Sequence, residues 1–162
     1  VPVSNGYQTP ATLGKDRLAA AVAGHALFPG KPVLVVNAGT CITYDFVDSG
    51  GVYHGGAISP GLIMRFRALH TFTGKLPLLD FNVSDSLTGD TTESSLRSGV
   101  VNGMTDEIEG FARRYSEKYP GLTVILSGGD HNYFVKRLKI STFAVPNIVI
   151  TGLHQILTFN AC

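Results

Sequence analysis

Two short stretches carry the residue types that phosphate chemistry needs. In LVVNAGTCITYDF, residues 34–46, an apolar run breaks into Asn37, Ala38, Gly39 and Thr40 and then resumes as an alternating run. Gly39 allows a backbone to approach a ligand closely, and neighbouring N–H groups together with the Thr40 hydroxyl can meet phosphate oxygens. In SGGD, residues 127–130, Gly128 and Gly129 follow a strand-like apolar run and precede a helix-like segment. Open α/β sheets bind ligands at the carboxyl ends of their strands, and helix N-termini favour anions. A plain hairpin turn would account for the first stretch alone, and a helix cap at Asp130 for the second. Two such turns in one sheet point to a phosphate-bearing ligand.

Other reactive side chains are dispersed. His25, His54, His70, His131 and His154 show no clustered ligand spacing and are read as surface or core residues. Cys41 and Cys162 are too few for a disulfide framework and lack metal-site spacing. They are read as a small buried residue and a loose tail thiol, in a reducing compartment. Arg65 and Arg67 sit in a helix-like segment and read as a solvated face.

The elements that must position these residues follow from composition and period. Residues 14–27, rich in Ala and Leu, predict a helix that FPGKP stops. Strands are expected at 33–37, 41–47 and 51–54, joined by NAGT and DSGG turns as an antiparallel meander. After GGAISPG, read as a connection, come a helix over 62–72 and an irregular stretch over 75–90. A long helix over 92–119 follows, capped by Thr91 or Thr92 with Glu93 in its first turn. A buried strand at 122–126, a helix at 131–138, a strand NIVI at 147–150 and a closing helix TGLHQIL complete the chain. The order β-β-β-α-β-α-β-α implies a mixed α/β sheet with helices on its faces.

Composition bounds the rest. With 162 residues, 44% hydrophobic and 15% charged, the chain supports one core with at most a small appendage. A formal net charge of +1 with scattered Lys and Arg gives no face for nucleic acid or an anionic membrane. No apolar stretch reaches the length of a membrane span, and VPVSNGYQTP has no signal-peptide pattern. The 19 glycines fall largely in clusters.

The segments YQTPATLGKDRLAA, NAGTCITYD, GGAISPGLIMRFRAL, KLPLL, GDTTESSLRSG and SGGD occur in this order over nearly the whole chain. Together they resemble type III pantothenate kinases. The resemblance implies an actin-like, ribonuclease H-like α/β fold and ATP-dependent phosphorylation of the primary hydroxyl of pantothenate, the first step towards coenzyme A. It places residues 1–30 as the remnant of an N-terminal domain with a substrate-binding loop and helix, and 31–162 as the carboxyl-terminal actin-like domain. It assigns Asp16 as general base, a role that fits a carboxylate taking the proton of an attacking alcohol. Tyr7, Gly14, Lys15 and Arg17 would bind pantothenate, and Thr92 would reach it across a homodimer interface. Gly39, Thr40, Gly128 and Gly129 would hold ATP, with Mg²⁺ on its phosphates. Asn37 stands where the commoner pattern has Asp for a monovalent cation, potassium or ammonium. Asn keeps a carbonyl oxygen but loses the charge, so cation affinity weakens or vanishes.

Cysteine usage and charge together lead to the expectation of a cytoplasmic protein without nucleic-acid or membrane partners. The D-x-G-N-T stretch that opens the family's pattern has no counterpart ahead of Val1. Phosphoryl transfer depends on positioning and charge neutralisation, so the isolated chain is expected to have little or no kinase activity. The alternatives are a non-catalytic transcriptional accessory factor of the same family, or a sugar or acetate kinase of the same superfamily.

Overall fold

The computed structural model describes residues 1–81 and 86–161. The tail thiol expected at Cys162 and part of the irregular 75–90 stretch lie outside them. In chain order the elements are β1 (Ser4–Asn5), α1 (Lys15–Leu27), β2 (Val33–Ala38), β3 (Cys41–Val47), β4 (Val52–Pro60) and α2 (Leu62–Thr71). They continue with α3 (Thr92–Lys118), β5 (Thr123–Ser127), α4 (His131–Val135), β6 (Phe143–Ala144) and α5 (Ile148–Ala161).

One mixed sheet runs β1-β4-β3-β2-β5-β6. The meander β2-β3-β4 is antiparallel, while β5 joins β2 in parallel and β6 joins β5 in parallel. This is the mixed α/β architecture expected from the sequence. Helices cover both faces, which is why β2 is buried at both odd and even positions. Leu34, Val36, Tyr44 and Phe46 pack against Leu62 and Phe66 of α2 and Val100, Met104 and Ile108 of α3. On the other face Val33, Val35 and Ile125 meet Ala20 and Ala23 of α1 and Ile148 of α5.

Two expectations are corrected. All of GGAISPG but its last glycine is the second half of β4, where Gly55–Pro60 pair residue by residue with Phe46–Cys41 of β3. The ladder with a central strand overrides the low strand propensity of glycine. NIVI is no strand: Asn147 turns the chain with φ 61° and Ile148 opens α5. A short apolar run carries no period that separates a strand from a buried helical turn. The helices expected over 62–72 and 92–119 are both present, as α2 and α3 between β4 and β5, so only the shorthand order is one helix short there.

Smaller differences are local. The cap of α3 is Thr91, whose Oγ1 accepts from the Ser94 amide while Ser94 Oγ accepts from the Thr91 amide. Cys41 is half-buried at the start of β3. Arg65 is no free surface group: Nε donates to the Pro60 carbonyl at 2.8 Å, and Nη2 reaches Glu107 Oε2 at 2.5 Å and Ser59 Oγ at 3.0 Å. Glu107 also accepts from the Tyr44 hydroxyl at 2.8 Å, so α2, α3, β3 and β4 share one polar knot.

The DSGG turn is held by a single carboxylate. Asp48 Oδ1 accepts from the amides of Gly50 and Val52, both at 2.9 Å, and Oδ2 lies 2.7 Å from His54 Nε2. Partial burial works to raise the Asp48 pKa, but the bond from His54 and the two amides outweigh it and hold it below the ordinary carboxylate value. A depressed native pKa means that the carboxylate stabilises the fold above the unfolded-state pKa, and that this contribution is lost as pH falls through the native one. Thermal melts taken between pH 6 and pH 3 should therefore show a shallower acid decline for Asp48→Asn than for the wild type. The difference should stay under about 1 kcal/mol, as the pair is exposed.

Candidate active site

The two glycine-bearing bends lie side by side. Strands β2 and β5 are parallel neighbours with Asn37 opposite Ser127, so both chains leave the sheet at the same edge. Gly128 has φ 93°, and a Cβ there would stand 2.2 Å from the Ala38 carbonyl oxygen. Only glycine fits that contact and that dihedral. The same carbonyl accepts from the Asp130 amide at 3.0 Å, locking the second bend onto the end of β2.

Beside them opens a cavity of about 600 Å³ lined by Gly39, Thr40, Gly129 and Asp130, with Ile63, Met64 and Arg67 of α2 forming the far wall. Burial raises the Asp130 carboxyl above its ordinary value. Asn37, Gly128 and Gly129 line an adjoining cavity of about 340 Å³ with Ser127 and residues at the start of α5. His131 closes this corner through Nδ1, 2.6 Å from the Gly128 carbonyl.

A second cluster forms on the α1 face of the sheet. Arg17, only 7% exposed, donates from Nε to Asp45 Oδ1 at 2.8 Å, and its Nη2 lies 2.8 Å from the same oxygen in an ion-pair contact. The Tyr53 hydroxyl donates to that oxygen as well, at 2.8 Å. Tyr7 stacks on Tyr53 with ring centroids 6.2 Å apart, and the Arg17 guanidinium carbon lies 6.0 Å from the Tyr7 ring centroid. Gly55, at φ 89°, gives the Tyr7 ring its seat, since a Cβ there would come within 2.8 Å of it.

Burial pushes the Asp45 carboxyl upward against the pull of Arg17, Tyr53 and Thr43. Burial also works to lower the Arg17 pKa, while Asp45 raises it, and the net direction is upward. Asp45 Oδ2 and Arg17 Nη2 are buried without a hydrogen-bond partner among the described residues.

Asp16 sits one residue earlier, in the exposed first turn of α1. Its carboxylate makes no hydrogen bond or ion pair among the described residues, and Gly14 leaves it room: a Cβ there would come 2.5 Å from Asp16 Oδ1. Lys15 is exposed beside it. Thr92 stands apart on the opposite face, in a groove of about 1180 Å³ between α2 and the start of α3. Apolar side chains dominate that groove, among them Phe72, which is 85% exposed.

The structure thus unites Gly39 and Thr40 with Gly129, and Tyr7 with Arg17. Sequence reasoning missed Asp45 and Tyr53, although an acid inside the alternating run ITYDF was a signal that a buried partner must exist.

Parallel strands ending together on paired glycine bends define an α/β domain whose strand ends suit an anionic ligand. A sequence model described as type III pantothenate kinase matches residues 1–114. A type III pantothenate kinase from Bacteroides fragilis is 52% identical over 160 residues, covering 99% of this chain and 66% of the relative. One from Flavobacterium psychrophilum is 46% identical over 158 residues, covering 98% and 66%. A crystal structure of a Baf family protein from Campylobacter jejuni, described as a transcriptional activator, superposes with a TM-score of 0.66 at 22% identity, over 98% of this chain and 69% of that one. That likeness concerns the fold alone. The chain belongs to the type III pantothenate kinase family, and it spans 66% of the length of curated relatives that it matches.

Proposed function

We propose that this chain carries the acceptor site and one phosphate-binding edge of a kinase that transfers the γ-phosphoryl group of MgATP to the primary hydroxyl of pantothenate. The product is 4'-phosphopantothenate, on the way to coenzyme A. The observation that carries the reading is the uncommitted Asp16 carboxylate, next in sequence to an Arg17 that is built into a buried aromatic and acidic cluster. In this reading Asp16 takes the proton of the attacking hydroxyl as the new P–O bond forms, in a direct in-line transfer. Tyr7 and Arg17 hold the acceptor, whose carboxylate or amide carbonyl suits a guanidinium fork of donors.

Gly39, Thr40, Gly128 and Gly129 hold the phosphates. Among the described residues Asp130 is the one carboxylate lining the larger bend cavity, so Mg²⁺ would be shared between it, water and the phosphates. Among the described residues no group of three His, Cys, Asp or Glu could hold a metal by itself. Asn37 would offer a monovalent cation only a neutral oxygen. A homodimer seated on the α2–α3 groove would bring Thr92 to the partner's acceptor site. A cytoplasmic setting fits this chemistry, and no helix among the described residues is long and apolar enough to cross a membrane.

The test is phosphoryl transfer from MgATP to pantothenate, glucose and acetate, using protein that combines this chain with the remaining length its relatives carry. Transfer to pantothenate alone is expected. Transfer to glucose or acetate, or to none of the three, would overturn the reading.

A further inference from the structure

We propose that Arg67 binds nucleotide phosphate at the glycine bends, an assignment that rests on the nucleotide reading above and extends it to a residue of α2. Arg67 lines the same cavity as Gly39, Thr40 and Gly129. It is exposed, and no carboxylate among the described residues comes within ion-pair distance of it. Its neighbour on the helix shows what a structural arginine looks like here: Arg65 is tied to Pro60, Ser59 and Glu107. One arginine clamps α2 to the sheet, and the other is left over the cavity.

The clamp matters for the geometry. The amide of Gly61, just ahead of α2, donates to the Thr40 carbonyl at 3.1 Å, so the helix begins on the bend itself. Ile63 and Arg67 are four residues apart and share one stripe of α2, which places an apolar patch and a cation on the wall facing the bends. Among the described residues the only other charged side chain lining this cavity is Asp130. Without Arg67 a polyphosphate would meet a carboxylate and no opposing cation. With it, a planar fork of donors can take two phosphate oxygens at once, and developing charge on the transferred group is neutralised.

Calorimetric titration with ATP, inorganic tripolyphosphate and adenosine tests this in the protein that combines this chain with the remaining length its relatives carry, as wild type, Arg67→Met, Arg67→Lys and Thr40→Val. Arg67→Met should weaken ATP and tripolyphosphate about tenfold while leaving adenosine unchanged, the size expected for one charge-assisted contact. The loss should shrink at high salt. Arg67→Lys should recover part of it, keeping the charge without the fork. If Arg67→Met binds ATP as the wild type does while Thr40→Val is weakened, the Arg67 assignment fails and the nucleotide site stands. An equal loss of adenosine and ATP in Arg67→Met would also overturn the assignment. Absence of saturable ATP binding by the wild type would overturn both.

Discussion

If the proposed function holds, Asp16→Asn should lower the turnover of pantothenate by about 10²–10⁴-fold, the usual contribution of a positioned general base. It should leave thermal stability unchanged. The expectation of unchanged stability comes from the structure: the carboxylate is exposed and has no partner among the described residues. The amide keeps the shape of the acid but cannot take a proton from the attacking hydroxyl. The loss should fall on kcat more than on KM, because a group that acts only as the bond forms contributes little to ground-state binding. A competing account treats Asp16 as a first-turn acid favoured by the helix dipole. That account predicts a stability loss of about 0.3–1 kcal/mol and no change in turnover. Steady-state kinetics beside a melting curve, in the same protein that turns over pantothenate, separates the two.

Asp45→Ala should destabilise the fold by about 3–5 kcal/mol, since it leaves the buried Arg17 guanidinium without its counter-charge. Domains of this size are stable by only about 5–15 kcal/mol, so the variant would approach unfolding at physiological temperature. Arg17→Met should be similarly costly, as it strands a carboxylate that is 0% exposed. The double variant Arg17→Met with Asp45→Leu should lose much less than the sum, because neither charge is then left buried alone. Denaturant midpoints for the three proteins give the coupling directly. Single losses below about 1 kcal/mol that simply add would show that the pair does not act as one unit. Variants that still fold should bind pantothenate more weakly, as Tyr7 and Arg17 lose the frame that holds them.

Legibility in the sequence followed the range of the interaction. GKDRLAAAVAGHAL announces its helix through local propensity, and the NAGT and DSGG turns announce the meander, because both depend on residues a few positions apart. GGAISPG reads locally as a connection; only its ladder with β3 makes it a strand. NIVI fails for the related reason that four apolar residues fit either buried state. The bends were visible as Gly39–Thr40 and Gly128–Gly129 because phosphate-compatible turns have a residue signature. That they interlock depends on the parallel pairing of β2 with β5, and the Arg17–Asp45–Tyr53 contact joins a helix and two strands. Arg65 and Arg67 are alike in composition and local context. Glu107, on a distant helix, is what tells them apart.

Met64 belongs to the lining of the bend cavity and of the α2–α3 groove alike. At that point one unbranched side chain with three rotatable bonds borders both spaces and can swing towards either. Guests that favour opposite rotamers would antagonise each other, and guests that favour the same one would cooperate. By linkage, the factor by which the first alters the second's affinity equals the factor in return.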